Sequence, residues 1–269
     1  MSSIAISRLT GKKDEVILPA FTLWWREVVR FYRQRTRVVG VIASPILFWF
    51  VIGSGFGTSF QSGGSQHYLD YFYPGALIMI VLFTSIFTMM SVIEDRKEGF
   101  LLAVLVAPVS RSAIVLGKVL GGTTLSTIQG LIFLAFAPLA GVHLSVTAFL
   151  LVAVTVFLVS FALTALGFAI AWPMDSTQAF HAIINLFLIP LWLLSGALFP
   201  LSGASQWLRI VMEVNPLTYG VEALRDLLYS NSQGQFSLTA SMATLVLFSL
   251  FMFGLAFLIA NRRTTKPAA

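Results

Sequence analysis

The sequence predicts an all-α membrane protein built as a bundle of six transmembrane helices, and three observations carry that prediction. Six apolar runs reach or exceed the roughly 20 residues that cross a hydrocarbon core of about 30 Å. They are Val38 to Phe56, Tyr73 to Ile93, Ile114 to Ala140, Val146 to Trp172, Ala179 to Leu201 and Leu238 to Ala260. Runs this long and this uniformly apolar do not suit the strands of an outer-membrane barrel. Secondly, 57% of the residues are apolar and only 10% charged, against roughly 25% charged in an average soluble domain. Thirdly, of the 17 Lys and Arg residues only Arg209 and Arg225 fall in gaps on one side of the runs, and the other 15 fall on the opposite side. Eight precede the first run, four (Arg96, Lys97, Arg111, Lys118) are counted to the gap between the second and third, and three follow the last. By the positive-inside rule both termini and the charged segment near residue 94 are cytoplasmic, in a multi-pass protein of the inner (plasma) membrane.

The same numbers exclude several functions. A net charge of +6 belongs here to cytoplasmic loops beside anionic headgroups, not to nucleic-acid binding. With no Cys, disulfides, thiol catalysis and thiolate metal sites are all absent. Residues 1 to 20 lack the apolar stretch of a cleaved signal peptide. Aromatic residues near the run ends, Tyr68, Tyr71 and Tyr73 at one side and Trp172 at the other, suit interfacial anchoring.

Before the first run, Phe21, Trp25, Val28 and Tyr32 recur at helical spacing, while Arg26, Arg30, Arg33 and Arg37 recur on the opposite side. That pattern predicts an amphipathic helix from Ala20 to Arg37 in the cytoplasmic interface, with Pro19 near its first turn. It serves as an orienting anchor, as a contact for a cytoplasmic partner, or as both.

Between the second and third runs, the charges Glu94, Asp95, Arg96, Lys97 and Glu98 lead to Gly99 and an apolar stretch from Phe100 to Ala107 that is too short to span. Pro108 stops it, and Ser110 is placed to cap the third run. A short apolar helix flanked by charges lies against the membrane or fills a pocket on another protein. In the third run, Gly117, Gly121, Gly122 and Ser126 allow close helix approach. Gln129 is a polar side chain deep in the bundle, placed to bond a neighbouring helix or to line a path.

His181 and Asn185 are four apart in the fifth run and share a face. His181, close to the cytoplasmic end, reads as a packing or interfacial residue before it reads as a proton relay. The segment from Leu201 to Leu238 is too long for a turn and too polar to span, and it is broken at Asn215 and Pro216. Non-helical backbone at membrane depth needs cover from protein or a water-filled cavity. Glu213, Glu222, Arg225 and Asp226 fall near the outer surface, where Glu222 and Arg225, one turn apart, form either a solvated pair or part of a gate.

The driving force follows by elimination. An ion-driven transporter places an ionisable residue inside its bundle, and no run holds a central Asp, Glu, Lys or Arg. A P-loop needs a Gly-rich turn ending in Lys-Ser/Thr, yet Gly117-Lys118 is followed by Val119, and the glycines at 53, 55 and 57 have no lysine. His67, His143 and His181 are scattered, and no hydrolase or metalloprotease pattern occurs. Energy must come from another chain.

The block EDRKEGFLLAVLVAPVSRSAIVLGKVLGG (Glu94 to Gly122) resembles the signature region of the ABC-2 type permeases, membrane subunits of ATP-binding-cassette exporters. NPLTYGVEALRDLL (Asn215 to Leu228) is similar to the block before their last span. Order, spacing and topology agree from about Ala20 to Arg262, with the daunorubicin-resistance and nodulation-factor export permeases as the nearest types. The resemblance implies an amphipathic connecting helix carrying Arg26, Arg30, Arg33 and Arg37. It implies a coupling helix within Glu94 to Arg111, with Glu94, Asp95, Arg96, Glu98, Gly99, Pro108 and Arg111 as its ATPase-coupling residues. Between helices 5 and 6 it implies a re-entrant outer hairpin, Ser202 to Phe236, gated by Asn215, Pro216, Tyr219, Glu222 and Arg225. Residues 1–37 then form a cytoplasmic N-terminus with the connecting helix, 38–260 the transmembrane domain, and 261–269 a cytoplasmic tail.

The expected function is that of a permease subunit, not itself an enzyme. It binds no cofactor and works with two copies of a cytoplasmic ATPase subunit that hold ATP and Mg, and with a second permease copy or a related permease, in contact with membrane lipid. Its expected cargo is a drug-like or lipid-like amphiphile. A glycolipid or polysaccharide exporter subunit, or a membrane assembly subunit that transports nothing, are the alternatives.

Overall fold

A computed structural model describes residues 7–33, 35–56, 68–142, 144–229 and 234–262, and among them every regular element is helical. The chain opens with α1 (Ser7–Arg33) and α2 (Arg35–Phe56), followed by α3 (Tyr68–Thr88), α4 (Met90–Lys97) and the short α5 (Phe100–Val106). After these come α6 (Arg111–Leu134), α7 (Val146–Ala171), α8 (Thr177–Trp192), α9 (Gln206–Val214), α10 (Pro216–Leu228) and α11 (Leu238–Asn261). Among the described residues, four helical stretches are long and apolar enough to cross a membrane: Tyr68–Lys97, Val146–Ala171, Thr177–Ala197 and Leu238–Asn261. α2 and α6, of 22 and 24 residues, also have spanning length. α6 is diluted by Lys118, Gln129 and a run of Gly, Thr and Ser.

Serine caps set several of these boundaries. The hydroxyls of Ser110, Ser145, Ser176 and Ser237 each accept from the backbone N–H three residues on, satisfying a donor that the first helical turn leaves unpaired. Other boundaries differ from the sequence expectation. The second run starts at Tyr68, and α4 carries it to Lys97 past a local break at Thr88–Met89. The third ends at Leu134, because Pro138 confines the next few residues to a 3-10 turn, Ala137–Ala140. The amphipathic helix begins at Ser7 and stops at Arg33, so Arg37 belongs to α2, and its side chain lies outside the described residues.

α3 is the centre of the bundle. Its stretch is 83% buried against 17% for α11, and α2, α6, α7, α8 and α10 surround it. Glycines make the close approaches at its end: a Cβ on Gly122 would come within 2.8 Å of Thr164, Thr88 and Met89, and one on Gly167 within 3.2 Å of the Ile86 backbone. α8 ends in a π-helical turn, Leu193–Ala197, where Gly196 takes φ +78°. A widened turn of this kind leaves carbonyls outside the usual helical ladder, and their partners come from α3 and α10.

Candidate functional site: an ion cluster behind α5

α1 lies along α6 at backbone distance, since a Cβ on Gly117 would sit 2.7 Å from the Ala20 carbonyl and one on Gly121 2.7 Å from Glu27 Cβ. This contact reorders the faces of α1. Ala20, Leu23, Glu27 and Phe31 point into the protein, while Phe21, Trp25 and Tyr32 point outward. The aromatic face read from the sequence therefore turns toward the surroundings, and a third face, marked by Glu27, packs on α6. The indole N–H of Trp24 adds a 3.0 Å bond to Thr124.

Where α1, α4 and α6 meet, Asp95, Lys118 and Glu27 are 0%, 1% and 5% exposed. Lys118 Nζ donates to Glu27 at 2.7 Å, to the Ser91 hydroxyl at 3.1 Å and to Asp95. Ser91 in turn donates to the second Glu27 oxygen at 2.7 Å. Arg26 grips Asp95 with two bonds, at 3.0 and 2.8 Å, and its guanidinium lies 3.7 Å over the Phe100 ring that begins α5. Arg30 bridges Asp95 and Glu94, both at 2.8 Å. Burial works against the Arg26 charge, but hydrogen bonding and attraction to Asp95, helped by Glu27 and Glu98, hold its pKa above the ordinary arginine value. Each buried charge thus has a paired, hydrogen-bonded counter-charge, the condition under which burial is tolerated.

The cluster corrects one expectation. Lys118, which the charge census places in a cytoplasmic gap, lies two turns inside α6 and is enclosed. An ionisable group does sit within the bundle, at its charged end, because Glu27 and Asp95 supply the counter-charge.

The other predicted coupling residues divide by contact. Arg96 donates to the Trp172 and Met174 carbonyls and pairs with Asp175, fastening α4 to the α7–α8 turn. Arg111 donates to the Ala260 and Arg262 carbonyls at the end of α11. Glu98 is largely exposed, with Arg30 at 3.6 Å. Gly99 takes φ +78° and turns the chain into α5, a conformation that favours glycine. Pro108 and Arg33 are exposed. α5 itself anchors through Leu101, and Leu102, Leu105 and Val106 point away from the protein, 66%, 39% and 80% exposed.

Far from the cluster, the predicted outer residues meet the π-helical turn. Asn215 caps α10 through Leu217 N–H and donates to the Leu191 and Leu194 carbonyls at 2.6 and 2.9 Å. Pro216 takes the first position of α10, where its missing N–H costs nothing. Tyr219 donates to the Glu213 carbonyl at 2.9 Å. Glu222 and Arg225 form a buried pair in place of a solvated one: Glu222 accepts from Gln235 N–H, and Arg225 donates to the Gly196 carbonyl over the Tyr71 ring. Deep between these two ends, Thr84 donates to Gln129 at 2.6 Å, so Gln129 bonds a neighbouring helix. His181 packs on Phe87, with ring centroids 5.3 Å apart. His67 and His143 lie outside the described residues.

Sequence reasoning missed Glu27, Ser91 and Lys118. One signal was present: Lys118 is the only charged residue within the third run, and a lone charge among apolar residues requires a partner.

The residue pattern of the ABC-2 type transporter family matches residues 20–229, a stretch that holds both the ion cluster and the knot around Asn215. A protein of Cyanophora paradoxa named "Putative transport permease ycf38" is 31% identical over 264 residues, covering 93% of this chain and 89% of the relative. Its namesake in Porphyra purpurea is 29% identical, with 83% and 78% covered. The "Daunorubicin resistance ABC transporter permease protein DrrB1" of Streptomyces coeruleorubidus is 23% identical, with 77% and 74% covered.

Proposed function

The chain belongs to the ABC-2 type transporter family, and from that premise we propose that it is the membrane subunit of an ATP-driven exporter whose ATP and Mg are held by two separate cytoplasmic ATPase subunits. The observation that carries the reading is α5. Seven residues long, it turns Leu102, Leu105 and Val106 outward beside the charged Lys97 and Glu98, which suits insertion into a pocket of another protein. The charge census gives this end of the bundle to the cytoplasm, where ATP is. Two permeases, identical or related, pair in the working exporter, each with six spans and cytoplasmic termini, α2 and α6 being counted as spans. α9 and α10, bent at Asn215–Pro216, form the re-entrant outer hairpin, and the exposed aromatic face of α1 rests in lipid headgroups. The cargo is a drug-like or lipid-like amphiphile leaving the cytoplasm or the inner leaflet. One of the relatives carries daunorubicin resistance in its name.

The test is co-purification of the ATPase together with nucleotide-stimulated flux in vesicles. Leu102→Asp with Val106→Asp should leave the amount of permease unchanged while abolishing ATPase co-purification and flux, and Glu98→Lys should weaken both. Purified alone, the chain should hydrolyse no ATP. If the double aspartate variant binds the ATPase and transports like wild type, α5 is not the docking element. For topology, a reporter fused after Ala269 should be cytoplasmic, and tags near Gly64 or Gly234 should be labelled by an impermeant reagent from outside.

A further inference from the structure

α5 is tied to the bundle by little chain: Gly99 joins it to α4, and residues 107–110 join it to α6. With Leu101 buried and Phe100 and Val104 half-buried against the core, its own packing is slight for carrying a displacement into the bundle. The firm connection runs through charges. Arg26 of α1 covers Phe100 of α5 and holds Asp95 of α4, Asp95 pairs with Lys118 of α6, and Lys118 closes the ring on Glu27 of α1. On α6, Lys118 touches a charge from each of the other two helices, and it lies between Gly117 and Gly121, where α1 presses on α6.

Stability alone does not call for this arrangement, because apolar side chains of similar volume commonly hold helices together as well as a buried ion cluster does. What fixed charges supply is geometry, one angle and one register among three helices. We propose that Lys118 is a positioning residue for energy coupling: its ammonium locks α1 and the α4–α5 unit onto α6, so that a displacement of α5 reaches α6 instead of being absorbed by the connections at Gly99 and residues 107–110. The inference rests on the exporter reading given above.

The test compares wild type with Lys118→Met/Glu27→Gln, in which one cation and one anion are removed together and Asp95 keeps Arg26 and Arg30. A merely structural Lys118 would leave this neutral, volume-conserving pair functional once it folds. Positioning predicts wild-type ATPase co-purification and ATP hydrolysis, with substrate moved per ATP reduced about tenfold, the scale on which a charged hydrogen bond is lost. Flux per ATP within about twofold of wild type overturns the proposal. Ser91→Ala removes only the hydroxyl that bridges Lys118 and Glu27, and it decides the matter if the double variant does not accumulate. It should lower flux per ATP about threefold at unchanged protein level, and unchanged flux then overturns the proposal. Wild-type vesicles that show no nucleotide-driven flux would instead sink the exporter reading itself, a separate outcome.

Discussion

The two ends of the bundle are fastened by different chemistry. At the charged end, where Arg96 and Arg111 also reach carbonyls, the buried cluster joins side chain to side chain: Lys118, Arg26 and Arg30 bind Glu27, Glu94 and Asp95 across α1, α4 and α6. At the tyrosine-rich end, the Glu222–Arg225 pair apart, side chain meets main chain. Tyr68, Tyr71 and Arg225 donate to carbonyls of Leu198 and Gly196, Trp192 to Gly75, Tyr73 to Phe133, Tyr229 to Asp70, and Asn215 to Leu191 and Leu194. A bond to a carbonyl survives almost any change of the accepting residue, because the acceptor is backbone. An ion cluster depends on both partners, and losing either leaves a buried charge uncompensated. The ion cluster should therefore be intolerant of substitution on every helix that enters it, and the tyrosine-rich end only at its donors and at Glu222, which accepts through its side chain.

The largest expected effect comes from Asp95→Leu, which leaves Lys118, Arg26 and Arg30 gathered around an apolar side chain. Breaking a buried pair costs about 3–5 kcal/mol, so thermal unfolding of the solubilised chain should show severe destabilisation and little folded protein should accumulate. A variant as stable as wild type would mean that water already reaches the cluster. At the other end, Asn215→Ala removes a helix cap, one bond to the end of α8 and one to the π-helical turn, for a cost of about 2 kcal/mol. Leu194→Ile, which alters an acceptor residue and keeps its carbonyl, should cost far less in the same assay. If the two are equal, packing rather than hydrogen bonding holds that end. Tyr73→Phe deletes a single bond between helices and should cost about 0.6 kcal/mol, the average for such bonds in membrane bundles. The smallest effect belongs to Val106→Ser on α5, within about 0.5 kcal/mol, because Val106 is 80% exposed and contributes little to stability.

Much of the fold was legible because its signals are local. Ser145 and Ser237 start α7 and α11 where the apolar runs begin, Gly99 and Pro108 bracket α5, and Asn215-Pro216 opens α10. Each boundary is set by one or two residues acting on their own backbone. The ion cluster was not legible, since Glu27, Asp95 and Lys118 come from three separate stretches of sequence and only packing brings them together. Glu27 also hides among arginines, on a face of α1 that the amphipathic pattern does not mark. Arg96 and Arg111, which the resemblance implies as coupling charges, also reach carbonyls at the ends of α7 and α11, with Asp175 beside Arg96, contacts that no sequence pattern marks.

The backbone contact of α1 with α6 has a consequence in time. Glu27 leaves the ribosome 91 residues before Lys118, an interval of about 5 to 20 seconds at 5–20 residues per second. Through that interval α1 exists without the helix it will lie on, and its acid is without the lysine. The stripe of Phe21, Trp25 and Tyr32 faces away from α6, so its exposure does not depend on that helix, whereas the face marked by Glu27 stays uncovered until α6 has been made.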